Sequence, residues 1–355
     1  MNNLENNKKI LSFIVPAYNA SKTLQKCLES FLCGGEAQEK IEVIVVNDGS
    51  QDDTSVIGEE YVQKYPDVFK LITQKNGGHG EALNTGIAEA CGKYIKCIDS
   101  DDWVVTENLP SWISRLSHCE ADVVITPFHM VDASTGKKKV YDFHIEKTNI
   151  SVERVYGISD ITENFRAFVR CLSYHGVTFL RSTYNKTAHK LPRKVFYEDL
   201  EYAMVNCAMA KTFCLMDFFI YEYRVGDSEQ SVSTNSRLKR INDSWRVTED
   251  MLEFYQSLEL RKSAFMEDDF SIRKTFTYLM TEQMILSHYV TCCILQPDKQ
   301  KGCRDFRAYN QMILEKSPEI FVKLKKKRMV YALLNFFHVD VKRYRALLDV
   351  RRKII

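Results

Sequence analysis

The sequence predicts an α/β protein with a mostly parallel sheet flanked by helices, followed by a helical region. Short apolar runs such as Leu11–Pro16 and Ile41–Val46 have the continuous hydrophobicity of strands buried on both faces. These runs alternate with amphipathic helical patterns over short connections, which indicates parallel strands with right-handed crossovers. From Ser236 onward the pattern is almost entirely helical.

Strands and helices alternate regularly through the first hundred residues. After Leu11–Pro16, Ser21 is the expected N-cap of a helix whose apolar residues recur at helical spacing. The segments that follow are a strand at Ile41–Val46, a helix at 53–65, a strand at Phe69–Thr73, a helix at 81–90 and a strand at Tyr94–Ile98. Further on we expect strands at Ala121–Thr126, Val177–Arg181 and Phe213–Tyr223, an edge hairpin at Val140–Ile145, and helices at Ile161–Leu172 and after Glu198.

Composition excludes several classes of protein. The 355 residues are 45% hydrophobic, enough for one large domain or two ordinary ones, and the net charge of +2 does not indicate a nucleic-acid partner. The eleven cysteines are scattered without a CxxC pair, which fits a reducing compartment and predicts no zinc site. The N-terminus has no apolar signal core, and no run approaches the roughly 20 apolar residues of a membrane span. We therefore expect a cytoplasmic protein.

Polar clusters follow three of the predicted strands, at Pro16–Asn19, Asn47–Ser50 and Asp99–Asp102. Ligands of open α/β sheets bind beyond the carboxyl ends of the strands, where these clusters converge. Three carboxylates in Asp99–Asp102 repel one another unless a cation offsets their charge, and oxygen ligands suit Mg²⁺ or Mn²⁺. A solvated acidic turn that caps the next helix is the alternative.

Two common phosphate-binding motifs are missing. No GxGxxG opens the first helix, and no GxxxxGK[ST] occurs anywhere in the chain. A glycine cluster at Asn76–Gly80 instead follows the third strand. It is either a simple turn into a helix or a loop that brings backbone N–H groups to a ligand.

Four segments occur in an order and spacing typical of a known family: VPAYN (Val15–Asn19), VVNDGSQDDT (Val45–Thr54), NGGHGEALNTGI (Asn76–Ile87) and GKYIKCIDSDDW (Gly92–Trp103). Together they resemble the bacterial family 2 glycosyltransferases, inverting enzymes of the GT-A fold that use nucleotide-activated sugars. The resemblance is strongest over residues 10–105, weakens to about 233 and then stops. Many members carry an arginine where this chain has Glu81-Ala82-Leu83-Asn84, so the donor contact credited to that arginine is not carried over.

The resemblance implies a donor site. Asp48 corresponds to the carboxylate that accepts a hydrogen bond from the uracil ring, although an Asx turn would also explain it. Asp101 corresponds to the direct metal ligand of the DxD motif, and Asp99 to its first aspartate, so that Mn²⁺ or Mg²⁺ would bind at Asp99 and Asp101. The other residues expected to contact the donor are Pro16, Ala17, Tyr18, Asn19, Gly78 and Ser100.

The resemblance also implies a general base and a phosphate-binding loop. In KVFYEDLE (Lys194–Glu201), Asp199 corresponds to the carboxylate that takes the proton of the acceptor hydroxyl, with Glu198 as the second candidate. Acidic residues at a helix start, which complement its dipole, are the structural alternative. Arg224 and Ser231, in the Tyr223–Ser233 loop, would contact the diphosphate, unless this is an ordinary surface loop.

The resemblance thus implies a GT-A domain over residues 1–233 and a helical region over 234–355. Residues 1–125 would bind the nucleotide-sugar and 126–233 the acceptor, with a sugar passing from a UDP-sugar to a hydroxyl of a surface glycan or polysaccharide precursor. A sugar-1-phosphate nucleotidyltransferase and a non-catalytic nucleotide-sugar-binding partner remain alternatives. The glycine-rich opening of the nucleotidyltransferases is missing where VPAYN stands.

The C-terminal stretch Lys323–Lys353 has eleven Lys and Arg residues against Asp340 and Asp349, interleaved with bulky apolar residues. Basic amphipathic helices of this kind often lie on anionic membranes. The alternative is a helix that packs Leu333, Phe336 and Phe337 into the protein and leaves its charges in water. The sequence leaves both possibilities open, and it gives no indication of the oligomeric state.

Overall fold

The computed structural model describes residues 9–141, 149–161, 165–226 and 233–354, with side chains described up to residue 348. The chain forms two compact units, Met1–Gly226 and Asp227–Ile355. The domain limit at residue 233 and the division at residue 125 stay predictions.

Twelve strands lie in the described part of the first unit. They are β1 (Leu11–Ala17), β2 (Ile41–Asn47), β3 (Phe69–Thr73), β4 (Tyr94–Cys97), β5 (Trp103–Val104), β6 (Val123–Ile125), β7 (Phe128–Asp132), β8 (Lys138–Tyr141), β9 (Val155–Gly157), β10 (Val177–Leu180), β11 (Thr212–Leu215) and β12 (Tyr221–Val225). Eight of them form one sheet in the order β3-β2-β1-β4-β10-β6-β11-β9, and the other four form a second sheet in the order β5-β12-β7-β8.

The α/β class is confirmed by the first four strands. β1 and β2 pair in parallel with Leu11 opposite Ile41 and Ala17 opposite Asn47, and every residue of both strands is buried. β3 extends this sheet beyond β2, whereas β4 pairs with the other edge of β1. The chain therefore reverses its direction across the sheet between β1 and β4. A crevice at such a reversal is where open α/β sheets bind ligands.

The sheet is less uniformly parallel than the sequence suggests. β10 runs antiparallel to both of its neighbours, β4 and β6, and β9 runs antiparallel to β11. The strand predicted at Phe213–Tyr223 is two strands, β11 in the large sheet and β12 in the small one. A tight turn separates them, in which the Phe218 N–H donates to the Met216 carbonyl at 2.9 Å.

The predicted edge hairpin is present in part. β8 pairs antiparallel with β7 at an edge of the small sheet, after a turn at Gly136, whose φ is 68°. The last residues of the predicted hairpin segment lie outside the described residues.

Eight α-helices occur in the described part of the first unit: α1 (Leu24–Glu29), α2 (Gly35–Glu39), α3 (Thr54–Lys64), α4 (His79–Glu89), α5 (Leu109–His118), α6 (Phe165–Cys171), α7 (Arg181–Thr187) and α8 (Glu198–Met209). The N-cap assignment of Ser21 is wrong, because α1 begins at Leu24 and Thr23 precedes it. Residues 21–23 form a turn that precedes the helix. Within this turn the Ser21 N–H donates to Asp52 Oδ2 at 3.0 Å. α4 begins two residues before its predicted start, so His79 is its first residue.

The described part of the second unit consists of helices joined by short connections: α9 (Thr234–Lys239), α10 (Ile241–Leu260), α11 (Glu267–Val290), α12 (Lys299–Lys316), α13 (Pro318–Lys323), α14 (Lys325–Phe336) and α15 (Val341–Ile354). Its own core includes Leu252, Tyr289 and Tyr309, and Ile320 and Leu324 are also fully buried in it. Among the helices described, none has both the length and the apolar character that a membrane crossing requires.

Two glycines show how closely α3 and α4 pack on the strands. A Cβ added at Gly86 in α4 would lie 2.5 Å from Ile14 Cγ2 and 3.0 Å from Val46 Cγ2. One added at Gly58 in α3 would lie 2.9 Å from Cδ1 of Leu71, the end of a half-buried, flexible side chain. Both positions are within helices, where alanine is intrinsically favoured over glycine by roughly 1 kcal/mol.

We expect Gly86→Ala to lower the free energy of unfolding by about 1–3 kcal/mol, because Ile14 and Val46 are branched at Cβ and cannot rotate away. Gly58→Ala is the matched control and should be near neutral, because Leu71 can adopt another rotamer. Urea unfolding followed by circular dichroism measures both. An equal loss in the two variants would contradict this account of the packing.

Candidate active site

Hydrogen bonds join the loops that follow β1 and β2. The Asn19 N–H donates to Ser50 Oγ at 3.0 Å, and Asn19 Oδ1 accepts from the Gln51 N–H at 2.8 Å. Pro16 and Ala17 are buried residues of β1 itself, whereas Tyr18 is 51% exposed at its end. Two of the predicted polar clusters therefore lie side by side at one edge of the sheet, where both Tyr18 and Asn19 are exposed.

Asp48 holds the glycine loop at Asn76–Gly80. Its Oδ1 accepts from the Gly77 N–H and from Gln74 Nε2, and its Oδ2 accepts from the Gly78 N–H, each at 2.8 Å. The Gly78 N–H, expected to face a ligand, thus donates to a side chain instead. A carboxylate has about four acceptor positions, so one remains at Asp48 Oδ2. The base-reading role of Asp48 stays a prediction.

The acidic motif after β4 gives a different environment to each carboxylate. Asp99 Oδ1 accepts from His79 Nε2 at 3.0 Å and from the Tyr174 hydroxyl at 2.9 Å. Asp102, 1% exposed, accepts from the Tyr221 hydroxyl at 2.6 Å and from the Arg224 N–H at 2.7 Å. Asp102 thus binds β12 and does not cap a helix.

Asp99, Ser100 and Asp101 are partly exposed, whereas Asp102 is buried. Asp101 is the carboxylate of the motif that lines a cavity of about 630 Å³. Burial and the neighbouring charge of Asp99 raise the pKa of Asp101 to about 6. Burial also raises the pKa of Asp102, with added repulsion from Asp99 and Asp101. Carboxylates that repel each other in this way fit a divalent cation, which would relieve the repulsion through oxygen ligands.

The geometry adds a histidine to the candidate metal ligands. Among the residues that the structure describes, ligand atoms of Asp99, Asp102 and His175 lie within 4.8 Å of one another. Burial lowers the pKa of His175 to about 4, so its ring is neutral at pH 7 and can bind a metal. This group shares only Asp99 with the predicted pair. Both oxygens of Asp102 already accept hydrogen bonds, whereas Asp101 lines the cavity, so the two sets differ in access.

His79 is a site residue that the sequence reasoning did not identify. Its Nδ1 lies 2.7 Å from Glu198 Oε1, and its Nε2 lies 3.0 Å from Asp99 Oδ1. Burial opposes a charge on the ring, but the hydrogen bonds to Asp99 and Glu198 outweigh it and raise the pKa of His79 well above its usual value. The sequence carries one signal for this residue, a histidine within the glycine cluster at Asn76–Gly80.

The Glu198–Asp199 pair starts α8, beside this histidine. Glu198 is 3% exposed and hydrogen-bonded to His79, so it is poorly placed to act as the second candidate base. Asp199 is partly exposed, and burial together with the Glu198 charge raises the pKa of Asp199 to about 6. Tyr197, directly before the pair, has a φ of 75°. A non-glycine residue in this conformation is strained, and such residues concentrate at functional sites.

Both cations and carboxylates line the cavity beside Asp101: Lys22, Lys26, Lys138 and Arg224 with Asp101, Asp132 and Glu222. Lys138 is paired with Glu222, and Lys26 Nζ lies 3.0 Å from the centroid of the Trp103 ring. The volume of the cavity is within the range of ligand pockets, and its cations suit phosphate oxygens. Arg224 lines this cavity, and its contact with a diphosphate stays a prediction. Ser231 lies outside the described residues.

Comparisons with known proteins agree with this geometry. Residues 12–190 match the family described as Glycosyl transferase family 2. Glycosyltransferase GlyG of Streptococcus pneumoniae is 32% identical over 165 residues, which cover 45% of this chain and 54% of GlyG. The minor teichoic acid biosynthesis protein GgaB of Bacillus subtilis is 27% identical over 237 residues, which cover 66% of this chain and 25% of GgaB. The chain thus spans about half or less of these relatives.

The fold is shared with a solved structure. A crystal structure of S. aureus TarS in complex with UDP-GlcNAc has a TM-score of 0.63 and 17% sequence identity, and the superposition covers 93% of this chain and 89% of that one. The likeness at this level of identity concerns the fold alone, and it extends the predicted GT-A resemblance beyond residue 233. With half of its length matched to the family and the acidic motif at the predicted edge of the sheet, the chain belongs to the family 2 glycosyltransferases.

Proposed function

We propose that this protein is an inverting glycosyltransferase that moves a sugar from a UDP-sugar to a hydroxyl acceptor. The observation that carries the proposal is the bridge formed by His79, which joins the acidic motif at Asp99 to the Glu198–Asp199 pair. A transferase needs a charged site for the leaving diphosphate and a base for the acceptor hydroxyl. The distance between this site and the base must be about the size of one sugar. The UDP-GlcNAc complex of TarS supports a uridine nucleotide as the donor's carrier.

Asp99 and Asp101 would hold Mn²⁺ or Mg²⁺, which when bound offsets the charge of the departing nucleoside diphosphate. Arg224 and the lysines of the cavity add positive charge for the same phosphates. Tyr18, exposed beyond β1, and the remaining acceptor position of Asp48 are the proposed contacts of the uracil base. Pro16, Ala17 and Asn19 shape that end of the site through the backbone, and Ser100 lies between the two metal ligands in the chain.

Asp199 would act as the general base. With a pKa of about 6 it is mostly ionised at pH 7 and still basic enough to accept a proton as the acceptor oxygen attacks C1. A single base on the acceptor side implies direct displacement, so the configuration at C1 inverts. The two alternatives, a nucleotidyltransferase and a non-catalytic binding partner, are disfavoured because membership of the family comes with retained Asp99, Asp101 and Asp199.

We propose a surface glycan or polysaccharide precursor as the acceptor, on the cytoplasmic side of the membrane. The relative GgaB, named for minor teichoic acid biosynthesis, supports a cell-surface polymer. Such acceptors are often carried on lipids, so attachment of the enzyme to a membrane surface would bring it to its substrate.

The second unit offers a surface for that attachment. Val322, Met329, Val330, Leu333, Phe336 and Phe337 are between 53% and 73% exposed. Those of α14 recur at helical spacing and so share one side of the helix. The opposite side is fixed: Lys327 pairs with Glu282, and Arg328 lies 3.2 Å from the centroid of the Phe321 ring. Leu333, Phe336 and Phe337 are therefore not packed into the protein, which favours the membrane alternative.

We call the exposed apolar side chains Met329, Val330, Leu333, Phe336 and Phe337 the apolar strip. The basic residues around this strip favour an anionic bilayer as its partner. Lys323, Lys325 and Lys326 are exposed next to its apolar side chains, and Lys342, Arg343 and Arg345 are exposed on α15. Apolar insertion together with basic residues is the combination that holds a helix at an anionic interface.

For the metal, we expect Asp101→Asn to reduce transfer to the level of wild-type enzyme treated with EDTA, because the accessible metal ligand is lost. Glu107→Gln, an exposed acidic residue nearby in the sequence, is the control and should transfer normally. Radiolabelled sugar transfer with added Mn²⁺ measures both. Normal activity of Asp101→Asn would exclude Asp101 as a ligand.

For the base, we expect Asp199→Asn to lower transfer by about 10²–10⁴-fold while UDP affinity is unchanged. The wild-type rate should fall as pH decreases through about 6, because protonation removes the base. The assay contains saturating Mn²⁺, which would keep Asp101 ionised. The fall in rate at low pH would then report the protonation of Asp199. The anomeric proton coupling of the product should show a β linkage from an α-linked donor; retention would refute the mechanism.

For the membrane surface, we expect the full-length protein to float with anionic liposomes at low salt and to be released at high salt. Leu333→Glu combined with Phe336→Glu should abolish flotation without lowering the melting temperature, since both side chains are exposed. Leu260→Glu, at a position 87% exposed on α10, is the control and should float normally. Flotation by the double variant would rule out this strip.

A further inference from the structure

The imidazole of His79 makes the only direct side-chain link, among the described residues, from the acidic motif to the Glu198–Asp199 pair. Asp99 and Glu198 are 99 positions apart in the sequence, and one ring spans them with contacts of 3.0 and 2.7 Å. Each ring nitrogen lies within hydrogen-bond distance of one carboxylate oxygen, so a single rigid ring fixes the spacing between the two side chains. Loss of either contact would break the connection between Asp99 and Glu198.

The loop that carries His79 is itself fixed from both sides. The Gly77 and Gly78 N–H groups donate to Asp48, at the end of β2. The Gly77 carbonyl accepts from the Lys194 N–H at 2.8 Å, in the segment that leads to α8. Gly78 has a φ of 89°, and a Cβ there would lie 2.6 Å from the Lys194 nitrogen. These contacts fix the backbone that leads into His79.

Other contacts hold the two carboxylates in place around the ring. Tyr174 donates to the same Asp99 oxygen as His79, and the Tyr221 hydroxyl lies 3.1 Å from the Asp99 backbone nitrogen, from which it accepts. On the other side, a Cβ at Gly80 would lie 3.2 Å from Glu198 Cγ, so the backbone of α4 packs against that side chain. His79 is the element that connects these two fixed groups.

We propose that His79 is a positioning residue that sets the separation between the donor-binding carboxylate Asp99 and the base helix α8. It acts through Glu198, whose backbone neighbour Asp199 is the proposed base. The distance between the anomeric carbon of a bound donor and Asp199 is then determined by one imidazole. This inference rests on the proposed function, and it assigns to Glu198 a positioning role in place of a catalytic one.

Three substitutions of His79 separate its two contacts. In His79→Asn the amide nitrogen occupies the place of Nδ1 and keeps only the contact with Glu198. In His79→Gln the amide nitrogen reaches the place of Nε2 and keeps only the contact with Asp99. His79→Ala keeps neither. His118→Gln, an exposed histidine on α5, is the control.

We expect kcat to fall by about 10²-fold in all three variants, because each loses the link and a misplacement of about 1 Å costs that order in rate. The Kd for UDP in Mn²⁺, measured by calorimetry, should stay near the wild-type value, and circular dichroism should show that each variant is folded. In a double-mutant cycle, His79→Ala and Glu198→Gln should be strongly non-additive, since they break the same link.

Normal kcat in either the Asn or the Gln variant would overturn the proposal, because one contact would then suffice. A loss of UDP affinity that matches the loss of kcat would also overturn it, by making His79 a donor ligand. If Asp199→Asn is inactive while the His79 variants are normal, this inference fails and the proposed function stands. If Asp199→Asn is fully active, the proposed function fails first.

Discussion

Repulsion among carboxylates at one edge of the sheet is the constraint around which the first unit is built. Asp99, Asp101 and Asp102 follow one strand, and Glu198 and Asp199 begin a helix beside them. Each charge that is withdrawn from solvent requires a donor or a cation. His79 serves two of the carboxylates, Tyr221 and the Arg224 N–H serve Asp102, and Asp101 alone is left facing the cavity.

This division of roles explains which parts of the site the sequence could predict. The strands β1 to β4 were predictable because their burial on both faces leaves a local pattern of apolar residues. The position of the acidic motif was predictable because the motif directly follows one of these strands. The hydrogen bonds between Asp48 and the glycine loop were not predictable, because they join residues 29 and 30 positions apart. His79 was missed for the same reason, since only the folded chain brings Glu198 to it.

The small sheet and the second unit show two further limits. The turn at Met216–Phe218 sends β11 and β12 into different sheets, yet the aromatic run that contains them has one uniform pattern. In α14 the apolar residues were identified from the sequence, but their direction depends on which side pairs with Glu282 and Phe321. An apolar side of a helix predicts that the side is covered by something. Only the structure shows whether the cover is the protein's own core or a partner.

The hydroxyl of Tyr221 accepts from the backbone of Asp99 and donates to Asp102, across 122 and 119 positions of sequence. The acidic motif therefore acquires its shape only when β12 has docked beside β5. These contacts join residues far apart in sequence, and the entropic cost of closing the chain between them must be met before they form. During synthesis, the ribosome must release more than a hundred residues beyond the motif before the site can assemble. A nascent chain that ends short of β12 would thus display the motif's sequence without its geometry.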